Sequence, residues 1–430
     1  METERLYELY QSSAGITTDS RSVARGEIFF ALRGPNHDGN RHATAAVAAG
    51  ALASVVDDPS LSGKKLILVD DVLGALTSLA AFHRRRLTVP VIAITGTNGK
   101  TTTKELITAV LSRKGRVHST AGNLNNHIGV PLTLLSAPDD AGFLVVEMGA
   151  SHVGEIAALC ETAMPTHGII TNIGTAHIEG FGSFENVREA KSELYKWLGA
   201  IGGTVIYNDD NAVLSELARL ARRTVPYSSP EGHQLTAMPE ESDSISLNVN
   251  AVLDGREYSF ATGLFGSYNI DNIRAAMATG LIFDVPVSEI IDAVSSYRPA
   301  NNRSQVVDTG RNIVIRDAYN ANPSSMEKAI ASFAALRSEK KMVILGDMLE
   351  LGSVSAQGHI SVVSQVRGLG AAEVALIGPR FREAAGDLPA RLFGSSEEAG
   401  VWLRAERPEG YTILVKGSRG MMLEKVYPLL

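Results

Sequence analysis

The sequence contains a single cysteine, Cys160, among its 430 residues. One thiol cannot build a disulfide framework, so the composition fits a reducing compartment. The N-terminal segment is amphipathic and carries acids, whereas a secretory signal has a basic region followed by an apolar one. No apolar run approaches the length of a membrane span. From these absences we expect a cytoplasmic protein without a membrane span.

Positive charge is scarce as well, because 40 Lys and Arg residues face 47 Asp and Glu residues and leave a net charge of -7. A chain without a basic stripe has little to offset nucleic-acid phosphates, so we expect no nucleic-acid partner. Low-complexity tracts, long runs of like charge and coiled-coil repeats are missing too. The composition, 44% hydrophobic and 20% charged, is that of a globular protein. Because coiled-coil repeats are missing, we expect a monomer.

The chain is too long for one ordinary hydrophobic core. Strand-like and helix-like segments alternate along it, which predicts an α/β fold with mostly parallel sheets. We predict three domains, at residues 1–87, 88–298 and 299–430. The first carries the strand-like segments "EIFFAL", "ASVVD" and "KLILVD", and is expected to be a small α/β domain.

The second block contains the apolar segments "VIAI", "FLVVEM", "HGIITNI" and "GTVIYN", which indicate strands buried on both faces. Its later part alternates polar and apolar residues around Asp254-Gly255, which predicts a hairpin. The third block carries "NIVIRDAY", "KMVILGD", "EVALIG" and "YTILVKG". These segments predict a second nucleotide-binding type of sheet, with a Rossmann-like arrangement.

A glycine-rich stretch, "AITGTNGKTTTKELI", follows the first strand of the second block. It contains G-x-x-G-K-T, which is shorter than the usual phosphate loop, but a strand precedes it and a helix-prone segment follows it. Gly96 and Gly99 would let backbone N–H groups approach phosphates, with the charge of Lys100 and a hydroxyl from Thr101 for Mg²⁺. We therefore predict a central P-loop ATPase domain. The alternative is a plain turn with a solvated lysine.

Two candidate metal ligands follow neighbouring strands of this block. Glu147 is the last residue of "FLVVE". A carboxylate on a buried strand is unfavourable unless another group pairs with it or it coordinates a metal. The alternative for Glu147 is a strand-end acid that faces water. His177 follows the next strand, and it would be an unusual ligand because Mg²⁺ prefers oxygen; a structural histidine is the alternative.

The segment "IRDAYNANPSSM" opens a further candidate site in the third block. Asp317 and Tyr319 follow the strand, and Asn322 is placed to cap a helix that starts at Pro323. A polar, aromatic loop of this kind suits a domain that closes on a substrate. Ordinary turn chemistry of Asn320 and Asn322 is the alternative.

Taken together, several segments resemble the Mur ligase family. The resemblance extends over essentially the whole chain and includes "TDSRSVARGEIFFALRGPNHDGN" in the first block. The phosphate loop is shared with a wider superfamily that includes folylpolyglutamate synthetases. The segments "GNLNNHIGVPLTLL" and "DAYNANPSSM" are most similar to the members that add D-alanyl-D-alanine. The other matching segments are "VVEMGASHVGEI", "ITNIGTAHIEGFGS", "ILGDMLELG" and "VKGSRGMMLE".

The resemblance implies an ATP-dependent amide ligase of peptidoglycan precursor synthesis. It would join UDP-N-acetylmuramoyl-tripeptide to D-alanyl-D-alanine through an acyl phosphate, with ATP and two Mg²⁺ ions. One alternative is another amino-acid ligase of the superfamily, of the muramoyl-peptide or folylpolyglutamate type. A regulatory P-loop NTPase that forms no bond and a catalytically inactive binding protein are two further alternatives.

The resemblance also implies roles for individual residues. The catalytic residues would be Lys100, His177, Lys191 and Arg303. The metal ligands would be Thr101, Glu147, His177 and Lys191, the last as a carbamate. ATP would contact Gly96, Thr97, Asn98, Gly99, Lys100, Thr101, Thr102, Asn269, Arg303 and Asp317. The other substrates would contact Ser20, Arg21, Asn125, Asn126, His127, Tyr319, Asn320 and Asn322. Domain closure would hinge near residues 297–302.

Overall fold

The computed structural model describes residues 3–174, 178–227, 235–240, 244–253 and 255–430, with the backbone alone at residues 178 and 179. Within these residues the chain forms three main β-sheets with helices packed around them. The alternation seen in the sequence therefore does correspond to a mixed α/β fold. In the same part of the chain, no helix combines the length and apolar character that a membrane crossing requires.

The first sheet is small and parallel, with strand order β1-β2-β5-β6. Its region consists of α1 (Thr3–Gln11), β1 (Ile16–Thr17), β2 (Ile28–Phe30), β3 (Arg33–Gly34), β4 (His37–Asp38), α2 (Ala43–Ala49), β5 (Ala53–Val56), β6 (Leu66–Leu68) and α3 (Val72–Arg84). The three predicted strands are confirmed as β2, β5 and β6. Successive side chains of β2 enter different cores: Ile28 and Phe30 face the central region, and Phe29 packs with residues of α2.

The second sheet has six strands, all parallel, in the order β12-β11-β10-β7-β9-β8. Its elements are β7 (Val91–Thr95), α4 (Lys100–Leu111), β8 (Val117–Ser119), α5 (Gly129–Leu135), β9 (Phe143–Glu147), α6 (Glu155–Ala163), β10 (His167–Ile170), α7 (Ile178–Phe181), α8 (Phe184–Ile201), β11 (Thr204–Asn208), α9 (Ala212–Ala218) and β12 (Arg223–Tyr227). Every residue of β7 and β9 is buried, which confirms the expectation of strands covered on both faces.

Helix α3 joins the first region to the central one. Leu79 of α3 is fully buried in the same apolar core as Leu134 of α5. At the end of α3, the Arg84 guanidinium donates to the carbonyl oxygens of Ala163 and Met164, at 2.9 and 3.1 Å. It thereby satisfies carbonyl groups that the end of α6 leaves without helical partners. The two regions therefore share one core and a polar cap.

The third sheet has nine strands in the order β13-β14-β15-β16-β17-β21-β18-β19-β20. The elements before its parallel part are β13 (Leu235–Pro239), β14 (Ser246–Leu253), β15 (Arg256–Phe265), α10 (Ile270–Ile282), α11 (Val287–Ser296) and β16 (Gln305–Asp308). Antiparallel pairing of β14 with β15 confirms the hairpin, although Asp254 lies outside the described residues. One register pair, Leu264 with Gln305, joins the hairpin to the rest of the sheet.

The strands β17-β21-β18-β19-β20 are parallel and form the Rossmann-like part. Its elements are β17 (Ile313–Asp317), α12 (Pro323–Ala335), β18 (Lys341–Gly346), α13 (Ser355–Arg367), β19 (Glu373–Ile377), α14 (Pro379–Ala384), β20 (Arg391–Phe393), α15 (Ser396–Glu406) and β21 (Thr412–Lys416). The predicted strands of the third block are thus confirmed. The domain bounds at residues 87 and 298 stay a prediction.

Candidate active site

The phosphate loop between β7 and α4 is tight at both of its glycines. Gly96 and Gly99 have φ angles of 141° and 82°, which a side chain rarely adopts. A Cβ at Gly96 would overlap the hydroxyl of Thr171, and one at Gly99 would overlap the amide oxygen of Asn272. The loop therefore requires glycine both for its backbone conformation and for the space around it.

Lys100, the first residue of α4, lies folded over this loop. Its Nζ donates to the carbonyl oxygens of Gly96 and Thr97, at 2.7 and 3.3 Å. The loop thus holds the ammonium group through hydrogen bonds. This contact differs from the alternative of a plain turn with a solvated lysine. The pKa of Lys100 is lowered, chiefly because its side chain is buried. The Glu147 carboxylate opposes this effect, and the Arg303 guanidinium adds to it.

Glu147, at the end of β9, is only 2% exposed, so it is not a strand-end acid facing water. Its two carboxylate oxygens accept hydrogen bonds from the Thr101 hydroxyl and from Asn125 Nδ2, both at 2.8 Å. Mg²⁺ takes oxygen ligands and is commonly held by one or two protein groups together with substrate phosphates. The carboxylate–hydroxyl pair fits that requirement. Among the described residues, no cluster of three His, Cys, Asp or Glu side chains could hold a metal by itself.

Lys191 lies on α8 and is 3% exposed. Burial lowers its pKa to about 7; the Lys100 ammonium lowers it as well, and Glu155 and Glu193 oppose this effect. The Nζ atom lies 5.5 Å from the centre of the Phe181 ring. His177, the other predicted ligand on this side, lies outside the described residues.

Arg303 lies between two residues in left-handed conformations, Asn302 with φ of 58° and Ser304 with φ of 49°. Such backbone strain is uncommon outside glycine and is often found at functional sites. The guanidinium stacks on the ring of Tyr319, with 3.8 Å between the guanidinium carbon and the ring centre. Among the described residues, Arg303 Nε has no hydrogen-bond partner although it is buried. The conformation therefore presents a fixed guanidinium with an unused donor.

Asp317 ends β17 and uses both of its carboxylate oxygens. One accepts from the Ser304 backbone N–H at 3.0 Å, and the other accepts from Lys416 Nζ at 2.6 Å. Asn269, predicted near the adenine, donates to the Ser304 hydroxyl at 3.1 Å and accepts from Asn272 at 2.8 Å. These contacts connect the central region with the third sheet.

A cleft of about 670 Å³ lies between the central region and the third sheet. It brings together most of the predicted site residues, namely Thr97, Asn98, Gly99, Lys100, Thr101, Thr102, Asn125, Asn126, His127, Glu147, Asn269, Arg303, Asp317, Tyr319, Asn320 and Asn322. The residues that line the cleft do not include Ser20, Arg21, Gly96 or Lys191. Arg21 instead forms an exposed ion pair with Asp19 at 2.7 Å in the first region.

Sequence reasoning assigned no role to several other residues that line the cleft. These are chiefly Tyr268, Lys328, Ser418 and Arg419. Ser418 and Arg419 belong to "VKGSRGMMLE", a segment that carries part of the family resemblance and follows a buried strand. Because ligands bind beyond the carboxyl ends of parallel strands, the position of this segment after a strand could have predicted that both residues line the cleft. Lys328 is one exposed lysine of α12 among many surface lysines, and the sequence gives no signal for it.

Fold and site together define a class: a three-domain α/β enzyme in which a central P-loop domain faces a Rossmann-like domain across a cleft. Three family models match consecutive parts of the chain: "Mur ligase family, catalytic domain" at residues 13–91, "Mur ligase middle domain" at 94–280, and "Mur ligase, glutamate ligase domain" at 302–419. The chain belongs to the Mur ligase family.

Individual relatives are similar over most of their length. The UDP-N-acetylmuramoyl-tripeptide–D-alanyl-D-alanine ligase of Bacillus subtilis is 36% identical, over 80% of this chain and 76% of that protein. The Escherichia coli enzyme of the same name is 32% identical, over 96% and 92%. A crystal structure of MurF from Acinetobacter baumannii is 30% identical with a TM-score of 0.87, covering 98% of this chain and 97% of that one. MurF from Thermotoga maritima in complex with ADP is 25% identical with a TM-score of 0.88, with the same coverage.

Proposed function

We propose that this chain is an ATP-dependent ligase that joins UDP-N-acetylmuramoyl-tripeptide to D-alanyl-D-alanine, a cytoplasmic step of peptidoglycan precursor synthesis. Relatives named for this activity support the proposal, at 36% and 32% identity in B. subtilis and E. coli. The observation that carries it is the shared cleft, in which the phosphate loop and Glu147 face the "DAYNANPSS" loop of another domain. A switch that only hydrolyses ATP has no need for a second domain at this position.

In the first half-reaction, the terminal carboxylate of the tripeptide attacks the γ-phosphorus of ATP, and ADP leaves. Lys100 is proposed to exchange its contacts with loop carbonyl groups for phosphate oxygens. Arg303, with its unused donor, would offset the charge that builds on the transferred group. The ADP-bound T. maritima relative supports the nucleotide assignment.

Two Mg²⁺ ions are proposed to take part, held by Thr101, Glu147, His177 and the carbamate of Lys191. Bound magnesium would neutralise phosphate charge and orient the γ-phosphoryl group. Carbamylation requires an uncharged amine, which adds CO₂ and releases a proton. With its pKa at about 7, Lys191 has a substantial uncharged fraction at neutral pH, which supports this assignment.

In the second half-reaction, the amine of D-alanyl-D-alanine attacks the acyl phosphate, an amide forms and inorganic phosphate leaves. Tyr319, Asn320 and Asn322 are proposed to form the acceptor site. The tripeptide would lie along the segment from Asn125 to His127, and the uridine diphosphate end would contact Ser20 and Arg21. An acyl phosphate reacts readily with water, so the cleft has to exclude it.

The decisive experiment measures phosphate release with UDP-muramoyl peptides, with and without D-alanyl-D-alanine. We expect sustained release only when both peptides are present, together with an amide product detected by mass spectrometry. Lys100→Ala should abolish the release while the protein remains folded by circular dichroism. Phosphate release that needs neither peptide would support a regulatory NTPase and refute the proposal.

A further inference from the structure

The side chain of Asn98, in the middle of the phosphate loop, is directed away from its own loop. Its Nδ2 donates to the Ser324 hydroxyl at 2.9 Å, and its Oδ1 accepts from Asn322 Nδ2 at 2.8 Å. Ser324 and Asn322 lie at the start of α12, more than 220 residues further along the chain. Two hydrogen bonds of good length therefore connect the nucleotide loop directly to the Rossmann-like domain.

The backbone of Asn98 is held by other groups. Its N–H donates to Asn172 Oδ1 at 3.0 Å, and its carbonyl accepts from Thr171 Oγ1 at 2.6 Å and Asn172 Nδ2 at 3.0 Å. These three bonds fix the loop without help from the Asn98 side chain. The amide side chain is thus free to serve the contact between domains.

The partners of Asn98 on α12 are rigid too. Asn322 caps the helix: its Oδ1 accepts from the Ser325 backbone N–H at 2.9 Å and from the Ser324 hydroxyl at 3.0 Å. The Ser325 hydroxyl in turn accepts from the Asn322 N–H at 3.0 Å, which completes a capping box. Because these groups are fixed by the helix start, docking onto Asn98 sets both the distance and the rotation of α12 relative to the loop.

Helix α12 and the turn before it carry residues that line the cleft opposite the loop. Asn320 lies just before the cap, and Lys328 lies six residues after it, nearly two helical turns. An acceptor bound to this face would reach the acyl phosphate in an orientation that depends on how α12 sits on the loop. A misplacement of about 1 Å can cost a reaction on the order of a hundredfold in rate.

We infer that Asn98 and Ser324 form a positioning contact that aligns the acceptor-binding domain with the phosphate loop and so commits the acyl phosphate to the amine rather than to water. The inference rests on the proposed ligase activity. Neither side chain is a catalytic residue in this account, because each acts through the placement of α12.

The test is Ser324→Ala, with phosphate and amide product measured in the same reaction. Ser324 lies outside the predicted catalytic and binding residues, and the Asn322–Ser325 capping box remains intact in this variant. The change removes the hydrogen bond from Asn98 and, within the helix start, the one that the Ser324 hydroxyl donates to Asn322. We expect amide formation to fall by about fivefold, because the lost hydrogen bond between the domains contributes roughly 1 kcal/mol net. Phosphate released per amide formed should rise above the wild-type ratio, because misaligned acyl phosphate is lost to water.

Two controls separate alignment from a structural role. Ser332→Ala alters the same helix at a partly exposed serine for which the described residues offer no side-chain hydrogen bond, and it should keep the wild-type ratio. Combining Ser324→Ala with Asn98→Ala should give little more uncoupling than Asn98→Ala alone, because both remove the same contact. If Ser324→Ala loses amide and phosphate in parallel, or changes neither, the inference is wrong. A wild-type protein that forms no amide would instead overturn the proposed function.

Discussion

Replacing Thr101 with valine isolates one hydroxyl at the proposed metal site. Valine has nearly the shape of threonine, so the change removes the 2.8 Å hydrogen bond to Glu147 without opening a cavity. Glu147 is 2% exposed, and among the described residues its carboxylate would keep a hydrogen bond from Asn125 alone. A hydrogen bond to a buried charged group contributes about 1.5–3 kcal/mol, so we expect the free energy of unfolding of the ligand-free protein to fall by about 2 kcal/mol.

The same variant should weaken the response to magnesium. Removal of a group in or next to a metal site commonly lowers metal affinity by about ten- to a hundredfold. We therefore expect the Mg²⁺ concentration that gives half-maximal phosphate release to rise at least about tenfold in Thr101→Val. Thr101→Ser retains the hydroxyl and is the matched control, which should titrate close to the wild type.

Urea denaturation measures the first effect, and Mg²⁺ titration of phosphate release at saturating ATP measures the second. A valine variant with wild-type stability and a wild-type Mg²⁺ midpoint would refute the assignment of Thr101 to the metal site. A serine variant as defective as the valine variant would show that the γ-methyl group, rather than the hydroxyl, is what matters.

Three further predictions concern the linker, acid stability and carbamylation. Glu105 on α4 accepts hydrogen bonds from Tyr297 and, at 2.8 Å, from Asn301, both in the predicted hinge at residues 297–302, here called the linker. Glu105→Gln should weaken these contacts and increase the radius of gyration measured by solution scattering. An unchanged scattering profile contradicts this prediction. Burial lowers the pKa of His167 to about 4, so its protonation is resisted in the folded state and stability should fall as pH drops from about 6.5 to about 4, by at most about 3 kcal/mol. His167→Gln should flatten that part of the pH profile, and equal pH dependence in both proteins would exclude His167 as its source. Because the pKa of Lys191 is about 7, depletion of CO₂ should reduce activity by a larger factor at pH 6 than at pH 8. Lys191→Gln cannot form the carbamate and should be inactive with or without CO₂. Wild-type activity indifferent to CO₂ at both pH values argues against the carbamate.

Much of the fold could be predicted from the sequence because its strands carry strong local signals. The apolar runs that became β7 and β9 have no polar residue before their ends, which is the pattern of a parallel strand covered on both faces. The cap of α12 was equally clear, since Asn322 followed by proline marks a helix start. These features depend on neighbours in sequence, which a single chain displays directly.

The parts that escaped prediction depend on contacts between distant segments. Glu105 gave no sign that it would bind the linker, because nothing local distinguishes it from any other acid on a helix surface. Asn98 matched a phosphate-loop pattern, and its contact with nucleotide stays a prediction. Nothing in that pattern indicated that its side chain would form hydrogen bonds with another domain. The very short strand β1 lacks a hydrophobic pattern long enough to detect.

The position of the cleft follows from a general property of parallel sheets, which holds for both the central sheet and the third sheet. Ligands bind beyond the carboxyl ends of such strands, where the connecting loops leave a crevice. In the central sheet, Ile94 pairs with Glu147, so the phosphate loop and the carboxylate emerge at one edge. In the third sheet, Asp317 pairs with Lys416, and their ion pair marks the corresponding edge. The two edges face each other across one cleft. An enzyme that must pass an unstable acyl phosphate directly to an amine needs this arrangement, because each sheet can bind one reactant in its own crevice while the reacting groups meet between them.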